Sequence, residues 1–378
     1  MINDIDQLLF DLVAINSVNP ELIPGSPGEG EIAAYIARWL EQAGLEVRMV
    51  ETITGRPNVI GIARGTGGGK TLLLNGHMDT VGNSSMSAGW QPRLEAGRLY
   101  GRGAYDMKGG LTACMWAISR LRREQLRGDV ILTAVIDEEY ASLGTLDLAE
   151  RFHADGAIIA EFTELRIILA HRGFVWLELE TLGRAAHGSR PDLGVDAIFK
   201  MGQVLKELED LNQELCAYPA HPLLKSGSLH ASLIQGGQEK SSYPESCRLW
   251  VERRTLPGET PERVRGEITR IIQKLQALDP TFNAEVRLDL HRSALETNPD
   301  AEIARVVRSA CERVLGREAE VAGVPFWTDA ALLSAAGIPS LLFGPSGEGA
   351  HAAEEWVDLA SVQACADVYL ASALEFCR

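Results

Sequence analysis

The side chains able to do chemistry in this chain fall where apolar runs stop. Residues 71–75 lead into Gly76-His77-Met78-Asp79, residues 130–136 into Asp137-Glu138-Glu139, and residues 157–160 into Glu161. Between the first two lies Gly101-Arg102-Gly103-Ala104-Tyr105-Asp106-Met107-Lys108-Gly109-Gly110, and far downstream comes Gly349-Ala350-His351. Short continuous runs of β-branched residues and leucines read as strands buried on both faces, and open α/β sheets bind ligands beyond the carboxyl ends of such strands. Imidazoles and carboxylates gathered at that edge point to a hydrolytic metal centre.

Each position has a chemical and a plain reading. His77 and Asp79 share a face in a regular strand, so the imidazole can bind a cation while the carboxylate orients it; a surface or capping role is the alternative. Asp106 sits among glycines that permit close backbone approach, and there it can bridge two cations or cap a helix. Glu138 and Glu139 repel each other and resist burial unless positive charge is near. On a turn they point apart, so one can ligate metal and the other serve a water as general base; a solvated acidic turn is the competing reading. Glu161 follows a buried run and shares that alternative. His351 lies in the glycine-rich residues 344–350 beyond another buried run, where backbone can approach a site closely. His187, in Gly183-Arg184-Ala185-Ala186-His187-Gly188, sits among small residues that leave the ring exposed, as a functional or an ordinary turn histidine. His153, His171, His221, His230 and His291 read as packing or surface residues.

The elements that must position these groups are legible from periodicity. Leu8, Leu9 and Leu12, then Ile32, Tyr35, Ile36 and Leu40, mark two amphipathic helices, broken by Pro20 and Gly25-Ser26-Pro27-Gly28. Strands are expected at 45–50, 58–62 and 71–75, with a long helix from about Met107 and α/β alternation to about residue 170. Residues 65–71 (Gly-Thr-Gly-Gly-Gly-Lys-Thr) imitate a phosphate loop but lack its spacing and lead into a strand, so they read as a hairpin turn. From Phe174 the texture changes to strand, helix 195–215, strands 228–234 and 246–253, helix 261–278 and strand 284–290, a small α+β sandwich covered on one face. After Thr297-Asn298-Pro299 the α/β texture returns with a helix to Leu315, a strand at 339–343 and a closing helix at 359–376. The domains expected are 1–173 and 291–378, forming one doubly wound, mainly parallel α/β layer, with 174–290 inserted.

Composition narrows the function classes. The 378 residues carry a formal charge of −16, with no basic run to meet nucleic acid or an anionic membrane. Six scattered cysteines fit neither a zinc cage nor a disulfide framework and read as packing residues. The first residues, Met1-Ile2-Asn3-Asp4-Ile5-Asp6, are acidic and no apolar stretch spans a membrane, so a cytoplasmic location is expected.

Taken together, these segments resemble the M20 family of dinuclear metallohydrolases, in particular its acetylornithine deacetylase and succinyl-diaminopimelate desuccinylase branch. The matching text is Gly76-His77-Met78-Asp79-Thr80-Val81, Gly101-Arg102-Gly103 through Asp106-Met107-Lys108-Gly109-Gly110, Asp137-Glu138-Glu139, Glu161-Phe162-Thr163, Ala186-His187-Gly188, Arg253-Arg254-Thr255-Leu256-Pro257-Gly258 and His351. The resemblance implies a zinc-dependent exopeptidase-like fold with a ferredoxin-like lid that also forms a homodimer. It implies one cation on His77, Asp106 and Glu161 and a second on Asp106, Glu139 and His351, with Asp106 bridging. Zinc suits His and carboxylate ligands, and cobalt or manganese can occupy such sites. Glu138 would be the general base, passing a water proton to the leaving amine, and Asp79 the partner of His77. His187 would stabilise an oxyanion in a neighbouring subunit's site, and Arg254 would bind a substrate carboxylate. Glu rather than Asp at position 161 accompanies deacylases, so the expected substrate is a small N-acyl amino acid; exopeptidase action on peptides is the alternative. Two positions depart from the family pattern: Ser241 stands for a substrate-contacting asparagine, and Phe162 for proline.

Overall fold

The computed structural model describes residues 5–83, 86, 89–121 and 125–378, so the opening residues 1–4 lie outside the described ones. Two compact units divide the chain: Met1–Leu169 with Thr297–Ala322 and Thr328–Arg378, and Ala170–Glu296 with Gly323–Trp327. The five-residue segment Gly323–Trp327 thus clusters with the smaller unit, although it lies within 291–378.

In the larger unit four strands run parallel in the order Val130–Val135, Leu72–His77, Gly156–Ile159 and Ser340–Leu342. Every residue of the four is buried, which is why they read as unbroken apolar runs without alternation. Outward from them the pairing is antiparallel, with Arg56–Ala63 beside Val130–Val135, Glu46–Ile53 beyond it, and Ile167–His171 beside Ser340–Leu342. The parallel core is therefore four strands wide and the sheet as a whole is mixed. Residues 65–71 do not turn a hairpin: the strands before and after them are separated by Val130–Val135, so the segment is a crossover.

The helix expected from Met107 starts at Gly109 and runs to Ser119, after a wide turn over Ala104–Lys108. It is buried from Gly109 to Ile118, as an apolar-all-round helix must be. Its second residue touches the backbone of the neighbouring strand end: a Cβ on Gly110 would stand 1.7 Å from the Ala160 carbonyl oxygen. Gly110→Ala is expected to push this helix off the segment that carries Glu161, destabilising by about 1–3 kcal/mol. Thermal unfolding checks it, and an unchanged midpoint would show that the contact relaxes freely.

The smaller unit runs strand Gly173–Leu182, helix Ala197–Ala217, strands Ser228–Gly236 and Ser246–Thr255, helix Pro261–Leu278, strand Asn283–Arg292. Its antiparallel sheet has the order Ser228–Gly236, Ser246–Thr255, Gly173–Leu182, Asn283–Arg292, the β-α-β-β-α-β arrangement of ferredoxin-like folds. Asp196 and Thr260 cap the two helices by accepting from the Phe199 and Arg263 amides. Val175, Leu177 and Leu179 alternate onto the face that packs with Met201, Val204, Val264 and Ile268. The edge strand Ser228–Gly236 leaves Leu233 and Ile234 exposed. Among the described residues no helix is long and apolar enough to cross a membrane, and all six cysteines are free, five of them buried.

Candidate metal centre

Register explains why distant segments meet. His77 is the last residue of its strand and lies opposite Val135, while Asn75 lies opposite Ile159. Parallel strands bring their carboxyl ends to one edge, so Glu138, Glu139 and Glu161, a few residues further on, converge with His77 there. Asp106 arrives from the turn before helix Gly109–Ser119. His351 arrives from a turn whose geometry is tightly set: His351 has φ +61°, and a Cβ on Gly349 (φ +88°) would stand 1.9 Å from the Glu354 carbonyl oxygen.

Asp106 is the centre of the cluster. Its Oδ1 lies 3.2 Å from Nε2 of His77 and its Oδ2 lies 3.2 Å from Nε2 of His351. His77 Nε2 is also 3.6 Å from Glu161 and 3.9 Å from Glu138, and His351 Nε2 is 3.0 Å from Glu139. Two donor sets within 4.8 Å can be drawn from these atoms, one of His77, Glu138 and Glu161 and one of His77, Asp106 and Glu139. His77 Nδ1 lies 2.9 Å from the Asp79 carbonyl oxygen; a proton on Nδ1 bonds there and turns the Nε2 lone pair toward the acids. The Asp79 carboxylate accepts from the backbone amides of Glu138 and Glu139 at 3.1 and 3.2 Å, so it orients the acidic turn as well as standing 3.5 Å from the ring.

The electrostatics call for cations. Burial, then repulsion from neighbouring acids, pushes Glu138 and Glu161 well above the usual carboxylate range, and burial with the charge of Asp106 raises Glu139 to about 7. Burial opposes ionisation of Asp106 too, but His351 and His77 hold its pKa down. The same acids raise His351 to about 10 and, against burial, raise His77. Four buried carboxylates thus crowd round two imidazoles, which supply the positive charge nearest to them. Divalent cations would offset the repulsion among the acids, and mixed N/O ligation suits them.

Several positioning residues carry no sequence signal of their own. Glu355, buried, accepts from the amides of Tyr105 and Asp106 at 2.9 and 3.1 Å and from Gly103 and Arg102, fixing the Asp106 turn. Asn19 donates to Asp79 and Asp137 at 2.8 and 3.0 Å, and Arg56 joins Glu29 to Asp137 beneath the acidic turn. Asp329 is buried and raised to about 6, first by desolvation; its charge reaches His77 and Glu138, and Thr145 donates to it. Phe162 packs against Tyr105 with ring centroids 4.4 Å apart and the planes tilted by 32°.

His187 and Arg254 belong to the smaller unit. The strand-like contact of His187 with Ser242 fixes its turn, helped by the Gly188 amide donating to Ser241 O. Its Nδ1 accepts from the Ser189 amide at 3.2 Å, which leaves the ring proton on Nε2. Arg254 donates Nε to Glu252 at 2.6 Å.

A family model described as Peptidase family M20/M25/M40 matches residues 73–375. An acetylornithine deacetylase of Myxococcus xanthus is 31% identical, over 98% of this chain and 96% of that one. A Bacillus subtilis deformylase of N-formyl-4-amino-5-aminomethyl-2-methylpyrimidine is 29% identical over 98% and 94%. The crystal structure of a dinuclear metal-binding M20 peptidase from Bacillus subtilis superposes with TM-score 0.78 at 16% identity, covering 99% and 97% of the two chains. Fold, donor cluster and relatives together define a metal-dependent hydrolase of amide bonds. The chain belongs to peptidase family M20/M25/M40.

Proposed function

We propose that this protein removes the acyl group from an N-acyl amino acid at a two-cation centre. The observation that carries the reading is the position of Asp106, one oxygen toward His77 and the other toward His351. His77, Asp106 and Glu161 would hold one cation and Asp106, Glu139 and His351 the other, with zinc the metal best suited. When bound, such cations polarise the scissile carbonyl and acidify water. Glu138 would take the proton from the attacking water and return it to the leaving nitrogen. Its 3.9 Å separation from His77 and its fixed amide suit a carboxylate that stays beside the centre. Asp79 would hold His77 in one tautomer.

His187 would donate Nε2–H to the oxyanion at a neighbouring subunit's centre, and Arg254 would take the substrate carboxylate. A homodimer through the smaller unit is part of the reading; the exposed Leu233 and Ile234 on its edge strand support it. His187→Ala is expected to lower kcat by roughly 10²–10³-fold with metal content unchanged. Steady-state kinetics beside metal analysis check this, and a normal kcat would remove His187 from catalysis. The reading as a whole is tested by hydrolysis of N-acetyl amino acids beside dipeptides, on zinc- and cobalt-loaded protein. Release of free amino acid from the N-acetyl series supports it, and turnover of dipeptides alone would make the protein an exopeptidase.

A further inference from the structure

Of the side chains in the centre, His351 has the least support from its surroundings. Residues 351–354 are exposed, whereas His77 and Glu161 are buried at or just past strand ends. Two sets of contacts within the larger unit nevertheless tie the His351 turn to the turn that carries Asp106. Arg102 donates one Nη to the buried Glu355 carboxylate at 2.7 Å and the other to the Ala352 carbonyl, next to His351, also at 2.7 Å. Because Glu355 also holds the amides of Gly103, Tyr105 and Asp106, one guanidinium fork spans both turns. The second set runs through Glu164. Its Oε1 accepts from the Tyr105 hydroxyl and, at 3.3 Å, from the Gly347 amide, so one oxygen joins the residue before Asp106 to the segment leading into His351. Gly347 itself lies against that tyrosine: a Cβ there would stand 2.6 Å from Cδ2 of the ring. Glu164 and Leu165 both take left-handed backbone, with φ +57° and +55°, which residues with a Cβ adopt at a cost. Their amides donate to Pro345 and Gly344, which keeps this strained pair where the Glu164 side chain meets Gly347.

We propose that Arg102 and Glu164 are positioning residues for the second cation, holding His351 beside Asp106 before that ion arrives. The proposal rests on the two-cation reading given above. Neither residue is a donor to the centre; both act through the turns they join. The other two ligands of that ion are fixed by their own backbones, since the Glu139 amide donates to Asp79 and the Asp106 amide to Glu355. His351 depends instead on Arg102 at the Ala352 carbonyl and on Glu164 at the Gly347 amide. With either tie removed, its exposed turn has more conformations to lose when a cation binds, and the affinity falls accordingly. The first cation draws on His77 and Glu161, which owe nothing to that turn.

Calorimetric titration of the metal-free full chain with zinc reads the two affinities separately. The parent is expected to bind two ions. Glu164→Ala should weaken the second by about tenfold and leave the first within about threefold, while Glu164→Gln, whose carbonyl oxygen still accepts from both donors, should match the parent. Tyr105→Phe should reproduce Glu164→Ala, and the two together should add little, as expected of partners in one contact. Arg102→Lys keeps a charge for Glu355 but loses the planar fork that reaches Ala352, so its effect on the second ion should be at least as large. Should that variant fail to fold, the exposed Glu164 decides alone. Equal weakening of both ions in Glu164→Ala, or parent-like affinities in Glu164→Ala and Arg102→Lys, overturns the proposal while the two-cation reading stands. Binding of a single zinc ion by the parent removes that reading, and the positioning role with it.

Discussion

Glu138→Gln should leave the metal complement of the protein intact and lower kcat by roughly 10²–10⁴-fold, the contribution of a positioned general base. Glutamine has nearly the shape of glutamate, and the Glu138 amide would still donate to Asp79, so the acidic turn has no reason to move. What is lost is the ability to accept a proton beside the scissile bond. Elemental analysis of the variant and its steady-state rate are read together. Activity within tenfold of the parent would place the base elsewhere. Loss of metal would instead make Glu138 a ligand, joining His77 and Glu161 in the donor set their spacing also allows.

Asp106→Asn should be at least as damaging, for a different reason. The carboxylate uses one oxygen toward each imidazole, and its charge is held by both, so removing that charge weakens both halves of the centre at once. Bound metal is expected to fall below two ions per chain. Loss of several kcal/mol of transition-state stabilisation would then lower kcat/KM by more than about a hundredfold. Circular dichroism controls for folding, since the Asp106 and Tyr105 amides would still donate to Glu355. Full metal occupancy in this variant would mean that Asp106 does not bridge.

How far the centre could be read from the amino-acid sequence follows from where each residue sits. His77, Glu138 and Glu161 end buried strands, and a buried strand leaves a contiguous apolar run in the chain; the edge where such runs stop is visible without coordinates. Asp106 and His351 stood out through their glycine settings. Glu355, Asn19, Arg56 and Asp329 did not, because each acts through contacts with residues far away in sequence, such as Glu355 with Tyr105. No local spacing records those contacts. The crossover over 65–71 leaves no such record either, since only pairing with Val130–Val135 tells it from a hairpin. Helix Gly109–Ser119 begins two residues late because Ala104–Lys108 first makes the wide turn that presents Asp106. In the smaller unit, strand alternation separated core from open face, but Trp327 joins Phe174 from a segment more than a hundred residues downstream.

The most direct test of the two-cation centre is a crystal structure of the zinc-loaded protein with anomalous scattering recorded at the zinc edge. Two peaks are expected, one between Asp106, His77 and Glu161 and one between Asp106, Glu139 and His351. A single peak enclosed by His77, Glu138 and Glu161, with Asp106 and His351 uninvolved, would contradict the bridging role of Asp106 and with it the assignment of Glu138 as the base.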